Sequence, residues 1–505
     1  MRFRRVGVAR PAVLAVCAAL LGLAACTTGS LPKQAVPPPP PGRDDNRPNI
    51  VFVLTDDLTT NLVPYMPHVR ALLEAGASFR NYYVVDSLCC PSRAAIFTGL
   101  YPHDDGVYTN GGPDKNRRDG GYHAYNRFGN PAKSFAVGLR ASGYRTGFMG
   151  KYLNGYPADD PPPPGWDEWD ATSNAYAEYD YKLNENGSVV EFGHDPQDYF
   201  TSVLSGTAQR FVRTSAASGG PFALEVATFT PHVPSTPAPI DRFTFPTVKA
   251  PRGPAFDRQP SNAPTWLAQL PPLTPGDTAQ IDRQFNKRVA AVQSIDRMIG
   301  RLEQTLAAVG ELDNTYFVFS SDNGYHLGEY RMRPGKQTAF DTDIRVPLVV
   351  AGPGIPAGTT VNSMTSSIDL APTFLQMAGA KPTAMQDGVS LLSLARGQPA
   401  PPDWQRAVLV EHHGPVTSKS DPDEQPFEAG EPPSYEAMRT ASFIYVEYRT
   451  GEREYYDLVH DPNELHNIAG SLSKSRLALL HTQLRTLATC HGAAACQRAA
   501  ALTRT

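Results

Sequence analysis

The sequence contains little cysteine and no concentrated stretch of positive charge. Six of its 505 residues are cysteine, and 46 lysines and arginines stand against 50 aspartates and glutamates, which gives a formal net charge of -4. Without an extended basic stripe the chain offers no electrostatic surface for nucleic acid, so we expect no nucleic-acid partner. Internal repeats are absent as well. At 41% hydrophobic residues, the chain is long enough for one large domain and a smaller one.

The N-terminal leader lacks a hydrophobic run long enough to span a bilayer comfortably. Arginines at positions 2, 4 and 5 precede a short apolar run over residues 11–25. The run ends in Leu-Ala-Ala-Cys26, which resembles a bacterial lipobox, so residues 1–26 are predicted to be a lipoprotein signal peptide. This resemblance implies an exported protein held on the extracytoplasmic side of a bacterial cell membrane by a lipid on Cys26. Cleavage nearby without lipidation is the alternative, and Sec and twin-arginine export both remain open.

The rest of the chain divides by composition. Residues 27–47 are rich in proline and are predicted to form an extended linker. Over residues 48–400, buried apolar runs of strand length alternate with amphipathic helices, the clearest of them over residues 284–309. This alternation predicts an α/β domain with a large, mostly parallel central sheet flanked by helices. Within residues 401–505, strand-like segments at 408–410, 443–446 and 454–457 predict a smaller C-terminal subdomain with an antiparallel sheet. The segments 157–193 and 421–434 are predicted to be loops.

Two adjacent cysteines stand at the predicted start of a helix, in the stretch Ser87-Leu-Cys-Cys-Pro-Ser-Arg-Ala-Ala-Ile-Phe-Thr-Gly99. Pro91 suits the first helical position, and Gly99 can end the helix. Cys89 would then face the free amides and the positive end of the helix dipole, with Arg93 one turn further on. This is a suitable place to hold an anion beside a reactive side chain, although a pair of buried structural cysteines would also fit the pattern.

Pairs of oxygen-bearing side chains follow two of the predicted buried strands. Asp56 and Asp57 come after the first strand, and Asp322 and Asn323 come after another. The carboxyl ends of parallel strands meet at one edge of a sheet, where ligands bind. Three carboxylates gathered there would repel one another unless a cation lay between them. An all-oxygen ligand set selects a hard ion, Ca²⁺ or Mg²⁺.

The ordered motifs over residues 46–467 together resemble the type I sulfatases, which belong to the alkaline phosphatase-like superfamily. The motif Cys-x-Pro-Ser-Arg followed by Thr-Gly carries the resemblance, together with the two acidic pairs and the segments Gly150-Lys151 and Pro231-His232. Gly335-Lys336 matches a later lysine of the family. The forms of these motifs are most similar to those of the N-acetylglucosamine-6-sulfatases. The resemblance implies a sulfatase that hydrolyses sulfate esters, with a sulfated sugar or an aryl sulfate as substrate.

The resemblance also implies a role for each matching residue. Cys89 would be converted to formylglycine by a formylglycine-generating enzyme, and its hydrated diol would attack sulfur while Asp322 takes the proton. The metal ligands would be Asp56, Asp57, Asp322, Asn323 and the modified residue 89. Arg93 would hold the diol, Lys151 would contact the sulfate, and His232 and Lys336 would serve the leaving oxygen.

The sequence departs from the family at one position. Many members have a histidine after Gly-Lys-aromatic, a candidate base for sulfate release, whereas this chain has Leu153. His326 is one candidate for that base or for a substrate contact, and His103 is a weaker one. Two other functions stay open on the sequence alone. One is hydrolysis of phosphate or phosphonate esters within the same superfamily, and the other is a non-catalytic surface lipoprotein that binds sulfated glycans.

Two cysteines near the C-terminus, Cys490 and Cys496, lie six positions apart. They would form a small disulfide loop in an exported protein, or remain thiols otherwise.

Overall fold

The computed structural model of the protein describes residues 45–111, 120–415 and 423–502. The predicted leader, Cys26 and all but the last residues of the linker lie outside these described ranges. Within them, no helix is both long and apolar enough to cross a membrane. All the described residues belong to one compact unit.

A mixed sheet of ten strands forms the centre of the molecule, in the order β11-β2-β10-β9-β1-β8-β4-β5-β6-β7. Its strands in chain order are β1 (Asn49–Thr55), β2 (Ala77–Phe79), β4 (Arg145–Lys151), β5 (Glu168–Thr172), β6 (Tyr181–Glu185), β7 (Ser188–Phe192), β8 (Phe222–Ala227), β9 (Thr315–Ser321), β10 (Leu348–Ala351) and β11 (Thr359–Val361). The short strands β3 (Tyr82–Tyr83) and β12 (Thr365–Ser366) pair with each other. The five strands β9, β1, β8, β4 and β5 run parallel, which confirms the predicted parallel core.

Helices cover both faces of this sheet. The helices of the described residues are α1 (Pro67–Ala75), α2 (Cys89–Thr98), α3 (Pro102–Asp105), α4 (Gly121–Arg127), α5 (Phe135–Ala141), α6 (Phe200–Ser218), α7 (Thr265–Ala268), α8 (Pro275–Ala308), α9 (Asp341–Ile344), α10 (Leu370–Met377), α11 (Leu392–Ala395), α12 (Lys474–Leu487) and α13 (Ala493–Ala500). Strand β1 contributes Phe52 to the core under α5 and α10, and Val51 and Val53 to the core under α1, α6 and α8. A strand buried on both faces needs apolar residues at every position, which is why β1 is continuously hydrophobic.

Helix α8 is the longest helix and begins earlier than the apolar stripe over residues 284–309 predicts. Pro275 occupies its first turn, and Thr274 and Asp277 form a reciprocal capping box in which each side chain accepts a hydrogen bond from the other residue's backbone amide. These two bonds satisfy amides that the first helical turn leaves without partners. The first turns of α8 are thus stabilised by capping hydrogen bonds, because the buried residues of the helix begin only at Ile281.

Two predictions from the sequence are wrong at the level of local structure. The segment 157–193, predicted as loops, contains β5, β6 and β7, which extend one edge of the central sheet. Helix α2 starts at Cys89, so Pro91 is its third residue and not its first. The first helical residues have no intrahelical acceptor for their amides, and a proline is therefore tolerated there as well. Gly99 ends this helix with a left-handed φ of 71°, as predicted.

The C-terminal part of the chain forms a separate four-stranded antiparallel sheet. It consists of β13 (Ala407–His412), β14 (Tyr435–Thr440), β15 (Phe443–Tyr448) and β16 (Arg453–Asp457), in that order. Strands β13, β15 and β16 correspond to predicted segments, whereas β14 was not predicted. Helix α12 packs on this sheet, and Cys490 and Cys496 are joined by a disulfide.

Glycine is required at position 150 in β4, directly before Lys151. Gly150 has a φ of 120°, and a Cβ atom at this position would lie 1.8 Å from the carbonyl oxygen of Ala227 in the neighbouring strand. We expect Gly150→Ala to lower the free energy of unfolding by about 3 kcal/mol or more, since both the backbone angle and the space exclude a side chain. Chemical denaturation of the purified protein would measure the change.

A matched control is Gly206→Ala in helix α6. Gly206 is exposed, and nothing lies within 4 Å of the place that a Cβ atom would take there. Alanine in a helix interior is favoured over glycine by about 0.5–1 kcal/mol, so this variant should be as stable as the parent or slightly more stable. Equal stability of the Gly150→Ala and Gly206→Ala variants would refute the packing described for β4.

Candidate active site

The two acidic pairs lie side by side at the carboxyl edge of the central sheet. Strands β1 and β9 are parallel neighbours in register, with Thr55 opposite Ser321, so the residues that follow each strand meet. The backbone amide of Asp57 donates a hydrogen bond of 3.1 Å to Asp322, and the side-chain amide of Asn323 donates one of 2.6 Å to Asp57. The convergence predicted from the sequence is therefore present in the structure.

Cys89 is the first residue of α2 and points into this acidic group. Its Sγ lies 3.2 Å from Oδ1 of Asp56, and Nζ of Lys336 lies 2.9 Å from the same sulfur. The thiol is fully buried. Burial, together with the carboxylates of Asp423 and Asp56, raises the pKa of Cys89 well above its ordinary value. The unmodified cysteine is thus a protonated thiol at neutral pH and a poor nucleophile.

Each carboxylate of the cluster is paired with a buried cation. Lys151, at the end of β4, forms an ion pair with Asp56, and Nε of Arg93 lies 2.8 Å from Asp322. Lys336 lies 2.7 Å from Asp57. Such pairing is required because an isolated charge in a protein interior is unfavourable by several kcal/mol.

The surroundings of Asp56 and Asp322 shift the pKa values of the two carboxyl groups in opposite directions. Burial raises the pKa of Asp56, but Lys151, His232, Arg93 and Lys336 together outweigh burial and hold that pKa below its usual range. Burial and the neighbouring Asp56 carboxylate raise the pKa of Asp322 to about 6. The cluster therefore contains one firmly ionised carboxylate and one that can exchange a proton near neutral pH.

His232 follows β8 and lies in the cluster beside Asp57 and Asp423. Its Nδ1 lies 2.8 Å from the carbonyl oxygen of Val233 and its Nε2 lies 2.7 Å from Oδ1 of Asp423. Both partners accept hydrogen bonds, so both ring nitrogens carry protons. Burial opposes this charge, but Asp57, Asp56 and Asp423 together raise the pKa of the ring. His232 is therefore placed to direct an Nε2 proton into the site.

The donor set fits a hard divalent cation. Oδ2 of Asp57 and Oδ1 of Asn323 are buried and have no hydrogen-bond partner among the described residues. Oxygen or sulfur atoms of Asp56, Asp57 and Cys89, together with a nitrogen of His232, lie within 4.8 Å of one another. Oxygens without partners and mutually close carboxylates are stabilised by a cation such as Ca²⁺ or Mg²⁺. The predicted ligands Asp56, Asp57 and Asn323 are thus suitably arranged, while the oxygens of Asp322 also bind Arg93 and backbone amides.

The two histidines considered as bases lie outside this cluster. Nδ1 of His326 lies 3.0 Å from both oxygens of Asp343, and its Nε2 lies 2.8 Å from the carbonyl oxygen of Ala429. The ring nitrogens of His103 contact Glu411 and the carbonyl oxygen of Cys490. Both rings use their nitrogens to hold the C-terminal part of the chain, so the structure does not bring them to Cys89.

Sequence reasoning missed two residues of the cluster. Asp423 comes from the segment between β13 and β14, and its Oδ1 lies 2.7 Å from both His232 and Lys336. Arg288, on α8, donates hydrogen bonds to the carbonyl oxygens of Asp57 and Pro231. The sequence could have predicted that Arg288 is buried, because it lies three residues after Phe285 on the buried face of α8. Nothing in the sequence distinguishes Asp423 from the nearby acidic residues Asp421 and Glu424 as a residue of the site.

A cavity of about 270 Å³ opens onto the cluster. Its walls include Asp57, His232, Lys336 and Asp423, and further out Gln284 and Arg333. This volume lies a little below the usual range of small-molecule sites, about 300–1,000 Å³. The cavity therefore gives access to Asp57, His232 and Lys336.

Comparison with protein families identifies two matching regions. The family profile described as Sulfatase matches residues 48–380, and the profile described as N-sulphoglucosamine sulphohydrolase, C-terminal, matches residues 328–489. Together they cover the central sheet, the charged cluster and the C-terminal sheet.

Comparison with individual proteins gives consistent results. The chain is 34% identical over 476 residues to human N-acetylglucosamine-6-sulfatase, covering 88% of this chain and 85% of the relative. It is 35% identical to the extracellular sulfatase SULF-1 homolog of Drosophila melanogaster over 73% of this chain, but spans only 33% of that longer protein. A protein solved in complex with its substrate D-glucosamine-2-N,6-O-disulfate has the same fold, with a TM-score of 0.73 and 24% identity over 87% of this chain and 97% of that one.

Divalent cations should stabilise the folded protein through this cluster. A ligand that binds only the folded state at a concentration of 100 times its Kd adds about 2.7 kcal/mol to the free energy of unfolding. We expect Ca²⁺ or Mg²⁺ to raise the Tm of the chelator-treated protein by a few degrees, and Asn323→Ala to reduce that rise strongly. Thermal unfolding with and without each ion would measure both.

The control for this experiment is Asp313→Asn, which removes an exposed carboxylate before β9. It should retain the full ion-dependent rise. A rise that is unchanged in the Asn323→Ala variant would mean that the ion binds elsewhere.

Proposed function

The chain belongs to the sulfatase family, and from that premise we propose that it hydrolyses sulfate esters of sugars at the buried cluster around Cys89. It is a sulfuric ester hydrolase, and the family implies the use of formylglycine and a metal ion. The observation that carries the proposal is the position of Cys89 at the start of α2, in contact with Lys336 and Asp56. The 34% identity to an N-acetylglucosamine-6-sulfatase supports a sugar as the alcohol part of the substrate.

Residue 89 acts in this proposal as formylglycine, produced by a formylglycine-generating enzyme. Its hydrated aldehyde supplies an oxygen nucleophile and a second hydroxyl that allows the sulfate to be released. The raised pKa of the unmodified thiol supports the need for conversion, because a protonated thiol attacks slowly. Arg93 is the residue proposed to hold the modified side chain. Its buried Nη2 has no hydrogen-bond partner among the described residues and is available for that contact.

The metal ion is proposed to lie among Asp56, Asp57, Asp322, Asn323 and the modified residue 89. Bound there, it would offset the negative charge of the sulfate ester. Asp322 is proposed to take the proton of the attacking hydroxyl, because the family resemblance implies that role for it. Ca²⁺ is favoured as the ion, with Mg²⁺ as the alternative.

Lys151, Lys336 and His232 are proposed to serve the substrate. Lys151 and Lys336 are buried ammonium groups that can bind the sulfate oxygens. His232 donates its Nε2 proton to the leaving oxygen, while the hydrogen bond from Nδ1 to Val233 fixes the ring. The base for sulfate release, left open by Leu153, is not assigned to His326 or His103, because the ring nitrogens of both are held by groups outside the cluster.

The protein is proposed to act outside the cytoplasm. The names of extracellular sulfatase relatives support export. The signal peptide over residues 1–26 and a lipid anchor on Cys26 remain predictions from the sequence, since these residues lie outside the described part of the chain. A lipid anchor would hold the site near a membrane at the end of the proline-rich linker.

His232→Ala should reveal the role of the leaving-group acid. General acid catalysis contributes about 10²–10⁴-fold, and most when the leaving alcohol is a poor one. We expect kcat for N-acetylglucosamine 6-sulfate to fall by about that factor, and kcat for 4-nitrophenyl sulfate to fall much less because nitrophenolate leaves without a proton. Steady-state assays of both esters would measure this difference.

The same assays should include 4-nitrophenyl phosphate and a phosphonate monoester. Turnover of sulfate esters well above that of either phosphorus ester is expected. A preference for the phosphorus esters would instead support the other hydrolase activity of the superfamily. An equal loss on both sulfate esters in His232→Ala would contradict the assigned role of His232.

A further inference from the structure

The loop over residues 233–250, which follows His232, exposes two large apolar side chains. Ile240 and Phe243 are each 81% exposed, more than any other large hydrophobic residue in the described part of the chain. Single exposed hydrophobic residues are ordinary, whereas neighbouring ones indicate a surface that meets a partner. The proposed reaction uses neither side chain, so their exposure requires another explanation.

The residue between these two side chains is fixed to the body of the protein. Asp241 is buried, and its two carboxylate oxygens accept hydrogen bonds from the guanidinium group of Arg297 on α8, at 2.6 and 2.5 Å. Such a two-pronged ion pair defines both position and orientation. Because Asp241 points inward, Ile240 and Phe243 on either side of it are held outward by the fold.

The second half of the loop lies along α8. The ring of Phe245 packs edge-on against Tyr65, with 5.6 Å between the ring centroids. The side-chain amide of Asn286 donates a hydrogen bond to the carbonyl oxygen of Phe245, and the backbone amide of Ala250 donates one of 3.1 Å to Asp282. These contacts place the loop beside the exposed face of α8 that includes the residues next to Asp282 and Asn286.

Four exposed basic residues of the loop and of this part of α8 form no ion pair among the described residues. They are Arg242, Lys249, Arg283 and Lys287. Asp241 is the only acidic residue of the loop, and its charge is matched by Arg297. Asp282 is likewise paired, with Arg252 at 2.6 Å. The surface that carries Ile240 and Phe243 is therefore positively charged.

Exposed apolar side chains beside unpaired basic groups match the surface of an anionic lipid bilayer. The apolar groups enter the boundary between headgroups and acyl chains, and the basic groups attract the phosphates of the headgroups. A soluble polyanion would engage the basic groups but would leave Ile240, which has no aromatic face for stacking, in water. The lipid anchor predicted on Cys26 would keep the protein near such a bilayer.

We propose that the loop 233–250 and the adjoining face of α8 form a membrane-contact surface, with Ile240 and Phe243 inserted into the headgroup region of an anionic bilayer. This contact is separate from the predicted lipid anchor and does not depend on the proposed hydrolase activity. The loop borders the cavity of the active site, since Val233 and Gln284 belong to the cavity wall. The contact would therefore bring the opening of the cavity close to the bilayer.

Binding to phospholipid vesicles tests the inference. The protein is produced from residue 27 onward, because the apolar leader and a lipid on Cys26 would bind vesicles by themselves. This form retains the compact unit to which all the described residues belong. Cosedimentation measures its binding to vesicles of phosphatidylglycerol and phosphatidylcholine in equal parts, and to vesicles of phosphatidylcholine alone.

We expect Phe243→Ser to weaken binding to the anionic vesicles about tenfold or more, because an inserted phenylalanine side chain leaves water when the protein binds. Ile240→Ser should act in the same direction. Each of Arg242→Gln and Lys249→Gln should weaken binding about fivefold and reduce the preference for anionic over neutral vesicles. Added salt should weaken the binding of the parent, since it screens exposed charges.

Val459→Ser provides the matched control, because Val459 is a large apolar residue that is 66% exposed in the turn after β16. It should bind vesicles as the parent does. The Tm and the hydrolysis of 4-nitrophenyl sulfate should be unchanged in every variant, since all the substituted side chains are exposed and none belongs to the charged cluster.

Several results would overturn the inference. One is a parent protein that does not bind anionic vesicles, and another is unchanged binding in both Phe243→Ser and Ile240→Ser. A dimer of the parent that dissociates in Phe243→Ser, without vesicle binding, would mean that a second copy covers the loop. Binding of dextran sulfate in place of vesicles would assign the surface to a soluble polyanion. All of these results leave the proposed sulfatase reaction standing, and loss of that reaction would leave the membrane contact standing.

Discussion

Mutual neutralisation of buried charges is the constraint on which the rest of the structure depends. The carboxyl edge of the central sheet carries the acidic residues Asp56, Asp57 and Asp322 in a space with almost no exposure to solvent. Their charges are tolerated because Lys151, Lys336 and Arg93 arrive from three other parts of the chain. Because removing one partner of a buried ion pair leaves the other charge uncompensated, the fold and the reaction site depend on the same contacts.

The same arrangement explains how an anionic substrate can be accommodated. A divalent cation that shared those carboxylates would make the lysines that now neutralise them available to a sulfate. The unsatisfied oxygens of Asp57 and Asn323 and the mutual proximity of the acidic groups are consistent with such a cation. Catalytic power then comes largely from groups that are already oriented before the substrate binds.

The sequence predicted the parts of the site that lie at the ends of recognisable strands. Strand β1 is continuously apolar and β9 has a buried apolar centre, so the pairs 56–57 and 322–323 stand out as polar residues at a strand end. Strands β5 to β7 escaped prediction because their segment follows a run of prolines and is rich in polar residues. The position of Asp423 was also beyond prediction, because a long tertiary connection from the C-terminal part of the chain brings it to His232.

The account depends most directly on the chemical state of residue 89. Mass spectrometry of the peptide that contains this residue, taken from active protein made in a host with a formylglycine-generating enzyme, distinguishes an aldehyde from a thiol. We expect the aldehyde, in an amount that rises in proportion to sulfatase activity across preparations. Fully active protein in which residue 89 remains an intact thiol would contradict the account.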